Sequence, residues 1–295
     1  MVLITFEVFN LEKMTQLTND FLVPFGYGEI LRKERVSGGC INECWRLLLD
    51  SGKSHFLKVN DHAPIDFFIA ESKSLEALAK QDFLRIPTVM LAKENFILME
   101  DLGVGSPNLH YWKTLGEGLA CLHSCQSSNF GFLIDNYCGS TLQRNSTMQD
   151  GFEFFREHRL MNLSSKAFDQ KLIEEGDLKR IELIASNLTN WIPIQSPVLV
   201  HGDFWSGNVH CDGDGNPCLV DPAAYWGWPE SDLAMTELFG HFNKEFYESY
   251  ESVSAIEKDW RERSPIYNLY HLLNHLILFG PSYLGTIRSI THRFT

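Results

Sequence analysis

The sequence predicts a two-lobed α+β fold, with a small antiparallel-sheet lobe at the N-terminus and a larger helical lobe at the C-terminus. Strand-like segments crowd the first hundred residues around one helical segment at 67–79, and we expect the strands at residues 30–36, 44–49, 56–59, 89–92 and 96–99. Beyond Gly103 the pattern becomes helical, at residues 112–124, 152–167, 177–191, 232–242 and 265–279. Strands followed by helices are typical of an α+β arrangement, so we expect lobes over residues 1–102 and 103–295.

The composition is that of a globular protein and argues against several other classes. At 295 residues, with 44% hydrophobic and 21% charged residues, the chain is long enough to bury a large core. Its formal net charge of −13 argues against a nucleic-acid surface. The N-terminus lacks the basic segment of a signal peptide, and no apolar stretch has membrane-spanning length. The cysteines are scattered and odd in number, which favours reduced thiols, so we expect a cytoplasmic protein without nucleic-acid or membrane partners.

A glycine-containing loop lies between the first two predicted strands, in the run Ser37, Gly38, Gly39 and Cys40. Glycine lets backbone N–H groups approach oxygen closely, so this loop is a candidate phosphate-binding hairpin. It is not a Walker A loop, and an ordinary turn is an equal alternative. Cys40 also has two interpretations: a small residue that the turn tolerates, or a stabilised thiolate that makes activity sensitive to oxidants.

Lys58 and Glu71 are a candidate phosphate-binding pair. Lys58 lies in the alternating strand at 56–59, where an inward-facing lysine can contact the α- and β-phosphates of a nucleotide. Glu71 lies on the helix at 67–79 and can point toward that lysine. The alternatives are a surface lysine with a packed stem and a solvated helix acid such as Glu76. The order of the two residues along the chain favours the pair.

A hinge between the lobes is predicted where the last strand of the sheet runs into Glu100 and Asp101. Adenine is recognised by backbone donors and acceptors at such a junction, so Met99, Glu100 and Asp101 are candidate nucleotide contacts by position. The alternative for the two acidic side chains is that they are only solvated.

The most informative segment is residues 201–208, which read His-Gly-Asp-Phe-Trp-Ser-Gly-Asn, followed by Leu-Val-Asp-Pro around Asp221. A phosphoryl-transfer centre needs a carboxylate to deprotonate the acceptor hydroxyl, an amide five positions later to hold a metal ion, and an aspartate at the end of a short strand as second metal ligand. Asp203, Asn208 and Asp221 match these three positions. Each alone is more often structural, but the joint pattern indicates an ATP-dependent phosphotransferase that uses Mg²⁺.

Two other metal motifs are weak. His271 and His275 have the spacing of a zinc protease helix, but the glutamate between them is missing. The run at 212–217 is similar to the start of a calcium loop, but Pro217 replaces the required glycine and Ala223 stands where the last ligand is needed. We therefore expect neither site.

The chain resembles the fructosamine kinase or ketosamine-3-kinase family, which is related to the aminoglycoside and choline phosphotransferases and has a protein-kinase-like fold. The similarity covers nearly the whole chain and is carried by residues 37–42, 68–71, 98–102, 201–208, 221–227 and 230–240. His-Gly-Asp with asparagine five positions after the aspartate is common to all these relatives. Phe-Trp-Ser-Gly at 204–207 and Glu-Ser-Asp-Leu-Ala-Met at 230–235 are specific to this family.

The resemblance implies ATP-dependent phosphorylation of the 3-hydroxyl of a sugar attached to an amine, which destabilises the adduct and frees the amine. It implies Asp203 as base, Asn208 and Asp221 as metal ligands, and Lys58 with Glu71 on the phosphates. Three further residues follow from the same likeness, each with a structural alternative: Asp232 as acceptor of hydrogen bonds from the catalytic loop or as a helix cap, and Trp205 and Tyr225 as sugar contacts or as packing residues.

The sequence also departs from the family pattern on the acceptor side. Residues 226–230 read Trp-Gly-Trp-Pro-Glu, where a tyrosine and a histidine or aspartate followed by arginine are expected, and Phe152 replaces a tryptophan. These departures leave the identity of the sugar undetermined. Two alternative functions also stay open. One is a phosphotransferase for an aminoglycoside, choline or homoserine. The other is a pseudokinase that binds nucleotide, which would normally have lost Lys58, Asp203 or Asp221.

Overall fold

The computed structural model describes residues 17–36 and 41–295. Within these residues five antiparallel strands form one sheet in the order β1-β2-β3-β5-β4. The strands are β1 (Ile30–Val36), β2 (Glu43–Leu49), β3 (Ser54–Val59), β4 (Val89–Ala92) and β5 (Phe96–Glu100), with helix α1 (Phe67–Ala79) between β3 and β4. β1, β4 and α1 begin and end where the sequence predicts, and the other three strands begin or end within two residues of their predicted bounds.

The centre of the sheet is buried on both faces, and β5 shows how. Successive side chains of a strand point to opposite faces. Phe96 and Leu98 pack with leucines of β2 and β3 on one face. Ile97 and Met99 pack on the other face against Phe68 of α1. Because α1 covers this second face, its side chains are close to those of the central strands.

The remaining elements are mostly helical, as expected for the C-terminal part. The helices are α2 (Tyr111–Leu122), α3 (Gly151–Phe155), α4 (Asn162–Asp169), α5 (Glu175–Ser186), α6 (Pro229–Met235), α7 (Lys244–Val253), α8 (Trp260–Phe279) and α9 (Leu284–Arg293). Three antiparallel strand pairs lie among them: β6 (Asn136–Cys138) with β7 (Thr141–Gln143), β8 (Val198–Val200) with β11 (Tyr225–Gly227), and β9 (Val209–Cys211) with β10 (Pro217–Leu219). The predicted α+β class is confirmed. Among the described helices, none combines the length and the apolar character needed to cross a membrane.

Several helix boundaries differ from the sequence prediction. The helix expected at 152–167 is divided by a π-helical segment, Arg156–Met161, between α3 and α4. α6 begins at Pro229 and ends at Met235, whereas the prediction was 232–242. The sequence analysis missed α7 and α9, which are mainly polar and bury few residues. The boundary between lobes at residues 102 and 103 stays a prediction.

Pro265 lies inside α8, although the sequence analysis placed the helix start at this residue. Proline cannot donate the backbone hydrogen bond that the carbonyl of Arg261 would otherwise accept. The hydroxyl of Ser264 donates to that carbonyl instead, at 3.1 Å. The side chain next to the proline thus replaces the missing donor, and the helix starts five residues earlier than predicted.

A buried ion pair joins α6 to α8. Arg263 donates to both carboxylate oxygens of Glu230, from Nε and Nη2, each at 2.6 Å. The hydroxyl of Tyr267 adds a third bond to Glu230 at 3.0 Å. Only 1% of the Glu230 side chain and 6% of the Arg263 side chain are exposed. Glu230 ends the segment that departs from the family pattern, and in this chain its charge is neutralised from α8.

We expect Arg263→Met to destabilise the protein by about 3–5 kcal/mol, because it leaves a buried carboxylate without its counter-charge. Urea unfolding followed by circular dichroism measures this change. Lys113→Met is the matched control, since the Lys113–Glu117 pair is exposed and exposed pairs contribute little. The double variant Glu230→Met/Arg263→Met should recover most of the loss. Equal midpoints for Arg263→Met and Lys113→Met would contradict this assignment.

Candidate active site

The segment at 201–208 and Asp221 lie side by side because two short strand pairs connect them. β8 leads into the segment, and β11, shortly after Asp221, pairs with β8. β9 and β10 form the hairpin between Asn208 and Asp221. The N–H of Val220 donates to the carbonyl of Asn208 at 3.0 Å. The motif that is divided in the sequence is therefore continuous in space.

Asp212 fixes the turn of the β9–β10 hairpin. Its Oδ1 accepts the N–H groups of Asp214 at 3.0 Å and Asn216 at 2.8 Å. Arg85 donates to its other oxygen at 2.6 Å. An aspartate that bonds backbone groups two and four residues later is a common turn former. This turn is the run that is similar to a calcium loop.

Asp203 is held in place by Asn208. The side-chain Nδ2 of Asn208 donates to Oδ2 of Asp203 at 2.9 Å and to its backbone carbonyl at 2.8 Å. Burial raises the pKa of Asp203 to about 7, since a buried carboxylate loses solvation, and the bond from Asn208 opposes this rise only in part. A carboxyl group whose pKa lies near neutral pH is well matched to general base catalysis.

Asp232 supports the backbone of the same loop. Its two oxygens accept the N–H of His201 at 2.7 Å and the N–H of Gly202 at 2.9 Å. Burial alone would raise the pKa of Asp232, but hydrogen bonding to His123 and the nearby imidazoles lower it on balance. The helix cap position is occupied by Trp228, since α6 begins at Pro229.

Lys58 connects the sheet to Asp221, which follows β10. Its Nζ is 2.6 Å from Oε1 of Glu71 and also contacts Oδ1 of Asp221. Burial alone would lower the pKa of Lys58, but the carboxylates of Asp221 and Glu71 raise it. The lysine therefore stays charged, and the predicted pair of Lys58 with Glu71 is present in the structure. Its role in nucleotide binding stays a prediction.

The oxygen atoms of Asn208 and Asp221 suit a magnesium ion. Nδ2 of Asn208 is used on Asp203, which leaves its Oδ1 to accept a cation. The Asp221 carboxylate is 50% exposed and lies on the same cavity as Asn208. Its backbone has φ of 54°, a left-handed conformation that aspartate adopts more readily than most residues. Mg²⁺ binds one or two protein oxygens together with water and phosphate oxygens, so the donor set fits.

These residues line one cavity of about 630 Å³. Lys58, Glu71, Asp203, Asn208 and Asp221 form its catalytic side. A second set of lining residues, which we call the acceptor wall, is mainly aromatic and consists of Trp205, Phe239, Asn274, His275, Phe279 and Tyr283.

Most of the acceptor wall was missed by the sequence analysis. The ring of His275 stacks on Phe239, with centroids 4.5 Å apart and an interplanar angle of 13°. Tyr283 meets the same imidazole edge to face at 5.1 Å. Burial lowers the pKa of His275 to about 4, so the ring is neutral at physiological pH. The two histidines on one helix, His271 and His275, are the sequence signal that could have indicated this part of the cavity.

The two aromatic residues predicted as sugar contacts occupy different places. Trp205 lines the cavity, and its indole packs over Gly207, where an added Cβ would lie 2.3 Å from Cζ2. Tyr225 is 3% exposed and lies beneath the guanidinium of Arg159, 4.0 Å from the ring centroid. Tyr225 is thus part of the helical core, which matches its packing alternative, whereas Trp205 lines the cavity. A contact of Trp205 with a sugar stays a prediction.

The side chains of the predicted hinge residues already make contacts within the protein. The carboxylate of Glu100 accepts from Arg85 at 2.7 Å, and that of Asp101 accepts from Arg46 at 2.8 Å and Ser54 at 2.6 Å. Met99 is buried in the sheet cluster. Any contact with adenine at this junction would therefore use backbone groups. The N–H of Glu100 is already bonded to Thr88, at 2.9 Å.

The predicted phosphate loop, with Ser37, Gly38, Gly39 and Cys40, lies outside the described residues. Its contacts with nucleotide and the two interpretations of Cys40 stay predictions. Ile41 and Asn42, which follow it directly, line the cavity.

Comparison with known proteins agrees with this geometry. The model of the fructosamine kinase family matches residues 14–295. The chain is 39% identical over 283 residues to a probable ketoamine kinase of Vibrio parahaemolyticus, covering 92% of this chain and 95% of that protein. It is 34% identical over 271 residues to a chloroplastic protein-ribulosamine 3-kinase of Arabidopsis thaliana, covering 89% and 82%.

A solved structure gives the same result in three dimensions. The crystal structure of a candidate fructosamine-3-kinase from Thermobifida fusca superposes with a TM-score of 0.82 at 28% identity, covering 90% of this chain and 93% of that one. The family match spans more than nine-tenths of the sequence, including every described residue of the catalytic side. The chain therefore belongs to the fructosamine kinase family.

Proposed function

We propose that this protein transfers the γ-phosphate of ATP to the 3-hydroxyl of a ketosamine, a sugar joined to an amine, and so acts in repair of glycated amines. The observation that carries this proposal is the convergence of Lys58, Asp203, Asn208 and Asp221 on one cavity that also has an aromatic wall. The names of the Vibrio and Arabidopsis relatives support the ketosamine as acceptor.

In the proposed reaction Asp203 binds and deprotonates the acceptor hydroxyl. Its Oδ1 is free of Asn208, which donates only to Oδ2 and the backbone. The proton passes to the carboxylate as the hydroxyl oxygen bonds to the γ-phosphorus and the bond to the β-γ bridging oxygen breaks. ADP and the phosphorylated ketosamine are the products.

The nucleotide is proposed to lie between the sheet and the catalytic loop. Lys58, fixed by Glu71, presents its ammonium group to the α- and β-phosphates. Asn208 and Asp221 hold Mg²⁺, which when bound neutralises charge on the β- and γ-phosphates. Backbone groups of Met99, Glu100 and Asp101 recognise adenine, and residues 37–40 cover the phosphates. In this proposal residues 1–102 and 103–295 are the two lobes, and the cleft between them takes the nucleotide.

The acceptor wall favours a sugar that carries an amine. Trp205 and Phe239 meet edge to face, with centroids 5.9 Å apart, beside the stacked His275. Aromatic faces attract cations, and the nitrogen of a ketosamine is protonated near neutral pH. The net charge of −13 also favours a cationic substrate over a neutral sugar.

We keep a cytoplasmic location as part of the proposal. It is supported by the cysteines of the described segments, which are all free thiols: Cys44, Cys121, Cys125, Cys138, Cys211 and Cys218. Partners other than the nucleotide and the ketosamine, such as nucleic acid or membrane, are not expected.

A panel of acceptors tests the proposed substrate class. With Mg·ATP and ADP release as readout, we expect at least one of the ribulose-, erythrulose- and fructose-lysine adducts to have a kcat/KM at least about 10²-fold above free hexoses, gentamicin and choline. The Asp203→Asn variant gives the background of ATP hydrolysis. Robust phosphorylation of gentamicin or choline with no ketosamine activity would instead favour the other phosphotransferases. Nucleotide binding without transfer to any acceptor would favour a pseudokinase.

A further inference from the structure

A second group of potential ligand atoms lies on the acceptor side of Asp203. The Sγ of Cys138, a carboxylate oxygen of Asp203 and a ring nitrogen of His271 all lie within 4.8 Å of one another. Nδ1 of His271 is 3.8 Å from Oδ1 of Asp203. The three residues come from three elements, β6, the catalytic loop and α8, so the fold and not a local motif brings them together.

Two of the three residues are held by hydrogen bonds from their neighbours. Nδ2 of Asn274, one turn after His271 on α8, donates to the carbonyl of Cys138 at 3.0 Å. Asp203 is held through its other oxygen by Asn208 at 2.9 Å. The ligand atoms would therefore need only small rotations to close on a common ion, which limits the entropy lost on binding.

His271 has an unused nitrogen that points into this group. The residue is 4% exposed, and across residues 17–36 and 41–295 no hydrogen-bond partner is found for its Nδ1. A buried polar atom without a partner is costly and calls for an explanation. Burial and the neighbouring His275 lower the pKa of His271 to about 3. The imidazole is thus neutral and has a lone pair to donate to a metal.

The donor set favours Zn²⁺ over Mg²⁺. Thiolate, imidazole and carboxylate are the ligands of Zn²⁺, which prefers four ligands, whereas Mg²⁺ prefers oxygen alone. When the thiol of Cys138 releases its proton to solvent, the ligands carry two negative charges that balance the two positive charges of the ion. Such neutrality favours binding in a buried site. Burial raises the pKa of Cys138, so the metal must displace that proton.

We propose that Cys138, Asp203 and His271 form an inhibitory Zn²⁺ site, with water as fourth ligand. The inhibitory part rests on the proposed function, since zinc would take Oδ1 of Asp203 away from the hydroxyl to be deprotonated. The site is separate from Asn208 and Asp221, so zinc should oppose the acceptor and not Mg·ATP. His275 is not part of this group of ligand atoms.

Metal binding is measured first, without any assay of activity. Metal-free protein is titrated with Co²⁺, which occupies zinc sites and gives a near-ultraviolet charge-transfer band with thiolate. We expect one Co²⁺ per chain with this band, and displacement of Co²⁺ by Zn²⁺. Cys138→Ser should abolish the band and weaken Zn²⁺ binding at least about tenfold in calorimetry. Cys121→Ser is the control, because Cys121 lies on α2, outside the ligand group. Cys138→Ala serves as a second variant if the serine form unfolds at a lower temperature.

Inhibition is measured next, with each variant normalised to its own rate without zinc. Zn²⁺ should inhibit the wild type, a zinc-selective chelator should restore the rate, and Cys138→Ser should need at least about tenfold more zinc. An identical zinc response of Cys138→Ser and wild type, or absence of the thiolate band, would overturn the site. Zinc binding by a protein that phosphorylates no ketosamine would refute the proposed function and the inhibition but leave the metal site standing. Ketosamine kinase activity without zinc binding would support the proposed function but refute the metal site and the inhibition.

Discussion

Asp203→Asn should lower kcat by about 10²–10⁴-fold, the usual effect of losing a positioned general base. The amide cannot take the proton of the acceptor hydroxyl, yet it has nearly the size of the carboxylate that Asn208 now holds at 2.9 Å. The affinity for ATP should change little, because the phosphates are expected to contact Lys58 and the metal ligands. Steady-state kinetics with a ketosamine, together with calorimetric titration of Mg·ATP, separates the two effects.

The control for this variant is Asp214→Asn, which removes a carboxylate from the exposed turn of the β9–β10 hairpin. It should retain near-normal turnover. If Asp203→Asn turns over as fast as Asp214→Asn, Asp203 is not the base, and the pKa near 7 reflects only its burial.

Asp221→Ala should weaken binding of Mg·ATP and lower kcat/KM by about 10²–10³-fold, since the variant loses a ligand that neutralises phosphate charge. The loss should be specific to the metal: ATP without Mg²⁺ should bind the variant and the wild type similarly. Calorimetric titration of ATP with and without Mg²⁺ measures this difference. Lys58 keeps its bond to Glu71 at 2.6 Å, so the lysine stays oriented.

A second variant at this position distinguishes the loss of a metal ligand from the effect of backbone strain. At φ of 54° alanine is strained by roughly 1–2 kcal/mol, whereas asparagine adopts this conformation readily. Asp221→Asn should therefore lose magnesium-dependent binding with little change in stability. Unchanged Mg·ATP affinity and turnover in both variants would remove Asp221 from the metal site.

The catalytic side of the cavity could be predicted because its chemistry needs fixed residue types at short spacings. Asp203 and Asn208 are five positions apart, and the structure joins them by two hydrogen bonds. Lys58 and Glu71 are farther apart, but a strand followed by a helix brings them within 2.6 Å. Local elements such as α1 could also be predicted from the sequence, since a single apolar face defines the helix.

The acceptor wall could not be predicted, because it depends on how α8 and the short turn after it pack against the segment that follows α6. Phe239, His275 and Tyr283 come from three different segments, and only their tertiary arrangement stacks them. Tyr225 shows the opposite case. It is adjacent to the motif in sequence, but the alternation along β11 and the guanidinium of Arg159 keep it in the core.

The predicted helix boundaries were wrong where side-chain hydrogen bonds outweigh a local sequence signal. Pro265 reads as a helix start, yet the hydroxyl of Ser264 allows α8 to begin earlier. The start of α6 was placed at Asp232, whereas the helix begins at Pro229. Of the two interpretations of Asp232, the structure shows the acceptor of hydrogen bonds from the catalytic loop and not the helix cap.

Identification of the reaction product tests the central claim most directly. Wild-type protein and Asp203→Asn are incubated with Mg·ATP and a ribulose-lysine or fructose-lysine adduct, and the products are analysed by ³¹P NMR and mass spectrometry. We predict that the wild type forms one phosphorylated ketosamine per ADP, with phosphate on the 3-oxygen, followed by release of the free amine. Asp203→Asn should form almost none in the same time. Phosphate on another oxygen, or release of inorganic phosphate with an intact adduct, would contradict the account.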